Sequence, residues 1–192
     1  MLSVNQCLTI GLLLIVTLTF NKAYGMGIRS LIYEKELEQL TPYMKCGTDS
    51  AKKYKIPEWI LLAVLRQESG PLHGYLENSN GSKDYGVGCI NDLRIEDFHS
   101  DGLTIVTPEK LMEDPCFSIY ATAYLIKKEY LKELRIQGKP NENIWLVAAA
   151  NYHYHYKGNN PQLHEKYKKS IKGHLGRFRK HMARAKKMAT KR

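Results

Sequence analysis

This 192-residue chain lacks positive charge at its start and acid at its end. Cys7 to Phe20 is a 14-residue apolar run without a charge, shorter than the roughly 20 residues a membrane-spanning helix needs and right for the core of a secretory signal. No Lys or Arg precedes it, so its positive flank is the terminal amine alone and an uncleaved anchor is the alternative. Ala23-Tyr24-Gly25 offers a small-x-small cleavage site. Residues 1–25 are therefore expected to be a signal peptide, the mature chain to begin near Met26, and the protein to be periplasmic or secreted. Internal repeats and low-complexity linkers are also missing, which argues against a second folded domain. Few segments alternate apolar and polar residues as strands do. The expected fold class is all-α, with at most a small β element between Tyr85 and Asp97.

Acid stops at Glu165. Residues 26–165 hold 16 Lys and Arg against 19 Asp and Glu, whereas 166–192 hold 12 Lys and Arg and no acid, so the formal net charge of +10 belongs to the C-terminal tail. From Asn160-Pro161 onward, Leu163, Tyr167, Ile171, Leu175, Phe178 and Met182 recur every three or four residues with lysines and arginines on the other face. This is a basic amphipathic helix, weakened by about 1 kcal/mol at each of Gly173 and Gly176. It fits a contact with an anionic membrane surface, an acidic partner or a wall polymer, and equally a helix packed on the domain with a solvated outer face. Nucleic acid is not an expected partner of an exported chain.

Between these ends the chain reads as successive helices: Leu31 to Met44, Thr48 to Lys55, Pro57 to Ser69, one capped at Thr107-Pro108, Phe117 to Arg135, and Ile144 to about Tyr152. A polar loop from Gly70 to about Gly88, containing Asn78-Ser-Asn-Gly-Ser82, is long enough to bind something. Leu61, Val64, Leu65 and Glu68 share one helical face at spacings of three and four, just before the Gly70-Pro71 stop. Whatever buries the leucines partly buries the carboxylate, and desolvation together with the negative helix end pushes its pKa toward that of a general acid. The same spacing also fits a C-terminal glutamate turned to solvent.

Five blocks then follow in order: Cys46-x4-Ala-x2-Tyr-x-Ile-Pro57; Leu61-Leu-Ala-Val-Leu-Arg-Gln-Glu68-Ser69-Gly70; Ser82-Lys-Asp84-Tyr85-Gly86-Val87-Gly88-Cys89-Ile90-Asn91; Asp114-Pro-Cys116-Phe-Ser-Ile-Tyr-Ala-Thr-Ala-Tyr-Leu125; and Ala148-Ala-Ala-Asn-Tyr152-His153. In these blocks the chain resembles the lysozyme-like soluble lytic transglycosylases, particularly the small members that accompany secretion, pilus and conjugation machines. The resemblance covers about residues 40 to 170. It implies a lysozyme-like domain over 26–165, followed by the basic tail over 166–192, acting on the glycan strands of peptidoglycan for an envelope-spanning apparatus.

Carried over residue by residue, Glu68 is the catalytic acid and Ser69 its steadying neighbour. Gly86 and Ile90 fall in the signature of the loop beside the cleaved bond, and Tyr152 orients the glutamate, with His153 after it. Ser82 and Asp84 belong to the substrate side. The signature glutamine is Cys89 here and the methionine before it Gly88, which leaves room for a wall-binding protein without efficient catalysis.

The resemblance implies a one-carboxylate mechanism, in which the glutamate protonates the leaving sugar and then takes a proton from the muramoyl hydroxymethyl group as an anhydro ring closes. Glu77, Asp84 and Asp92 lie near enough in sequence to serve as a base instead, with Asp84 the best candidate for a hydrolytic muramidase. The small relatives carry cysteines at positions like Cys46 and Cys116, which implies that pair, with Cys89 a lone thiol near the groove. Bridges from Cys89 to either partner remain the alternatives. Tyr152-His-Tyr-His-Tyr156 lacks a Cys or carboxylate in register and is weak as a metal site. No metal or cofactor is expected, and the chain is read as a monomer.

Overall fold

A computed structural model describes residues 27–189; the expected signal segment lies outside the described residues. A helix over 27–36 (α1) is followed by a 3-10 turn, Glu38–Tyr43, and by α2, Met44–Tyr54. The single helix expected over Leu31 to Met44 is thus broken. Pro42 lies inside that stretch, where it has no N–H to donate and its ring opposes an α-helical carbonyl four residues back, so the chain tightens to 3-10 geometry before α2 begins.

Next comes α3, Glu58–Glu68, with Pro57 at its N-cap. Ile60 through Leu65 are all buried, so α3 is apolar all round rather than on one face and runs through the middle of the domain. It packs on α2, on α6 (Pro115–Gln137), on α7 (Glu142–His153) and on α8 (Pro161–Ala189). Glu58, in the first turn of α3, receives both Arg29 nitrogens at 2.7 and 2.8 Å, which anchors α1 to that end of the helix.

A three-stranded antiparallel sheet, in the order β1 (Tyr75–Glu77), β2 (Lys83–Tyr85), β3 (Ile90–Asn91), occupies the stretch after α3. It starts ten residues before the Tyr85 expected from the sequence. All three β1 residues are exposed, so the strand carries no alternation to read, and Asn78 to Ser82 is a hairpin turn with Gly81 at φ +83°. Beyond β3 the chain is helical, through α4 (Ile95–Ser100) and α5 (Pro108–Glu113). Thr107 caps α5 by accepting from the Lys110 N–H, and Gly138 in the left-handed region ends α6. The fold is mostly α, and among the described residues no helix is long and apolar enough to cross a membrane.

Cys46 on α2 is joined to Cys116 at the start of α6, and Cys89 is free. The link spans 70 residues, and constraining a loop of that size in the unfolded chain is worth about 4 kcal/mol. Replacing both cysteines by alanine is expected to lower the melting temperature by on the order of 10 °C without shifting α-helical circular dichroism at 20 °C. An unchanged melting temperature would contradict a bridge that matters to this fold.

Candidate active site

Glu68 ends the buried helix. The chain leaves α3 through Ser69 at φ +47°, and this left-handed turn sends Ser69 outward while the Glu68 side chain enters a groove of about 710 Å³. The Glu68 side chain is 11% exposed. Its Oε1 accepts a 2.5 Å hydrogen bond from the Tyr167 hydroxyl, which comes from the second turn of α8. Burial pushes the Glu68 carboxyl up to about 7; the Tyr167 hydrogen bond favours the carboxylate and holds it back, while the negative charge of Asp84 adds to the rise. Near neutral pH the group is therefore poised to give up a proton and to take one back. The Tyr167 phenol, buried and facing Glu68, is held well above its ordinary pKa and stays a donor.

The last turn of α3 is clamped residue by residue. Arg66 pairs with Glu36 at 3.5 Å, and Glu36 also accepts from Arg177 and His181 of α8. The Gln67 carbonyl oxygen accepts from Ser170 and, at 3.0 Å, from His174 Nε2. Gln67 Oε1 accepts here, so His174 carries its proton on Nε2 and turns Nδ1 toward the Arg177 guanidinium. Burial, then the cations Arg177 and Arg66, push its pKa down to about 4, which keeps the ring neutral. The basic composition begins at residue 166, and α8 runs through that point without a break.

Tyr152 does not orient Glu68 as expected. The C-terminal turn of α7 points its ring into the domain, where the hydroxyl donates to the Gly88 carbonyl at 2.5 Å. Glycine is required at 88 because a Cβ there would lie 1.9 Å from Thr122 Oγ1 and 2.9 Å from the Tyr152 hydroxyl. Tyr152 thus holds the loop, and Tyr167 holds the carboxylate. His153, the next residue, stacks on Tyr167 with ring centroids 4.7 Å apart. Its Nδ1 stands 4.0 Å from Glu68 Oε1, beyond hydrogen-bond reach, and burial lowers its pKa against a smaller opposing pull from Asp84, so it is no ion-pair partner.

The hairpin forms the other wall. Asp84 accepts from Asn78 at 3.0 Å on one oxygen and from Asn91 at 2.7 Å on the other, and Ser82 Oγ accepts from both amides. Ile90 is buried beneath them. Gly86, at φ +61°, contributes conformation rather than a contact: a Cβ there would meet the Leu111 carbonyl at 2.2 Å.

Of the residues expected from sequence, Glu68, Ser82, Asp84, Ile90, Tyr152 and His153 share the groove. Ser69 does not: it is exposed and its hydroxyl donates to the Arg66 carbonyl at 2.9 Å. Cys89 also lines the groove, its thiol directed at the Glu68 carbonyl oxygen and pushed up to about 12 by burial, Glu68 and Asp84, so it is present as neutral thiol. Among the described residues no group of three or more His, Cys, Asp or Glu is placed to hold a metal, and His155 stacks on Tyr156 instead.

Compared with known proteins, the chain is similar to protein IpgF of Shigella flexneri, 35% identical over 86 residues, and to protein IpgF of Shigella sonnei, 34% identical over 93 residues. These matches cover 43% and 45% of this chain and 53% and 58% of the two proteins, so the chain spans about half the length of the curated relatives it matches. No protein-family model matches it.

The raised Glu68 pKa has a consequence for stability. The group titrates at about 7 in the folded chain against 4.5 ordinarily, so stability is full below the lower value and is lost as pH rises through that window, by on the order of 3 kcal/mol at pH 8. Glu68→Gln escapes this loss. Its melting temperature relative to the native chain is expected to rise between pH 5 and pH 8; a constant difference would contradict a carboxyl titrating near neutrality.

Proposed function

We propose that the protein is a lytic transglycosylase that cuts the MurNAc-GlcNAc bonds of peptidoglycan with a single glutamate. The observation that carries this reading is one carboxyl of near-neutral pKa, buried at a groove wall and fixed by a buried phenol. Protonated Glu68 donates to the leaving glycosidic oxygen as the C–O bond breaks and positive charge develops at the anomeric carbon. The resulting carboxylate, relieved by the Tyr167 hydrogen bond, takes the proton of the muramoyl hydroxymethyl group while that oxygen closes on the anomeric carbon. The product is an anhydro-muramoyl end, and Glu68 is returned to its acid form. No water is consumed.

Asp84 faces the same groove, but Asn78 and Asn91 occupy its two oxygens and tie it to the hairpin, which favours a structural role over that of a second catalytic carboxylate. Cys89 stands where the resembled family carries glutamine; a neutral thiol directed at the Glu68 carbonyl oxygen is a weaker donor, so the side-chain amide contact of that family has no counterpart at this point. The resemblance to small members that serve secretion and conjugation machines supports a task of opening the wall locally for such an apparatus.

Glu68→Gln is expected to lose at least 1,000-fold of wall-clearing activity while keeping its fold, whereas Asp84→Asn should retain most of it. Mass spectrometry of the native digest should find anhydro-muramoyl ends. Reducing muramic ends, together with an inactive Asp84→Asn, would mean a hydrolytic muramidase, and wall binding without any cleavage would mean a scaffold.

A further inference from the structure

The buried and exposed faces of α8 have opposite jobs. Tyr167, Ile171, His174 and Phe178 face the domain. Lys166, Lys169, Lys172, Arg179, Lys180 and Arg184 are exposed and make no ion pair among the described residues. At 1.5 Å per residue they form a band about 27 Å long on the side of the helix away from Glu68. The one acid on α8, Glu165, is taken up by Lys168 and His164. Like charges three and four residues apart repel, so the band weakens its own helix and is unexplained by folding.

We infer that this band is a docking face for an anionic lipid bilayer. Phosphate headgroups form a flat, continuous negative sheet, which a broad helix face of cations matches in charge. A protein partner draws its affinity from buried aromatic or aliphatic anchors, and between Lys166 and Arg184 the band presents none, the exposed Leu163 and Met188 lying beyond its two ends. The same lack of apolar side chains makes the contact one of adsorption without insertion, and therefore salt-sensitive. Tyr167 lies on the opposite side of the helix, so adsorption leaves its bond to Glu68 in place and the groove uncovered. This docking does not depend on what the groove cleaves.

The test is sedimentation of the full chain with vesicles of phosphatidylglycerol and phosphatidylcholine, against vesicles of phosphatidylcholine alone. Binding is expected to the first and to be at least 10-fold weaker to the second, fading as salt rises through the range where the screening length falls below about 8 Å. Replacing Lys169, Lys172, Arg179 and Lys180 together by glutamate should weaken binding at least about 100-fold, since each cation near an anionic leaflet contributes up to about 5-fold and reversal adds repulsion to that loss. The four glutamine replacements should give an intermediate loss, with an unchanged melting curve showing that α8 stays docked. Equal binding to both vesicle types, or native affinity in a folded charge-reversed chain, would overturn the proposal. So would binding to soluble polyglutamate as tight as to the vesicles, which would make the band a site for an acidic chain.

Discussion

A single hydrogen bond between residues 99 positions apart, Tyr167 to Glu68, is the contact on which the site depends. A carboxyl at the end of an apolar helix pays heavily to ionise, and without a donor it would remain protonated well past neutrality. A donor that was too generous would make it an ordinary carboxylate. One phenol, itself too deeply buried to ionise, sets the group between those limits. Acid and base roles at one pH require that intermediate position.

Much of the rest of the domain keeps those two side chains in register. α3 is buried on all sides, so its end cannot shift without disturbing the core. α8 is held against its last turn at three successive residues, through Glu36 at Arg66, Gln67 itself and Glu68. Tyr152 and Gly88 fix the loop that carries Cys89 and Ile90, and the Asn78-Asp84-Asn91 network fixes the hairpin opposite. Each wall of the groove therefore rests on its own set of buried or shared polar contacts.

The sequence reveals some of this and hides the rest, for physical reasons. The Thr107 cap and the helix periods beyond Met44 are local signals, and the structure carries them, whereas the period over Leu31 to Met44 gives way to 3-10 geometry around Pro42. Glu68 was legible because apolar spacing and a stop signal fall on adjacent residues. The sheet was legible only in part, because β1 is exposed on every residue and leaves no period of two. Tyr167 was visible as a member of a buried stripe, but what it touches is 99 residues away, and no local pattern reports a partner at that distance. The resemblance pointed to Tyr152 through the Ala148 to His153 block; the direction of its ring is set by Gly88 and Thr122, which that block does not contain.

Glu68 is held near neutrality because burial is checked by one phenol. The most direct measurement is a carbon-13 NMR titration of the Glu68 carboxyl in the native chain and in Tyr167→Phe, which keeps the ring stack on His153 and removes only the donor. A native midpoint of about 7 is expected, with the midpoint in Tyr167→Phe about one unit higher, as loss of a hydrogen bond to a charged group requires. A native midpoint between 4 and 5, or one that Tyr167→Phe leaves unmoved, would contradict it.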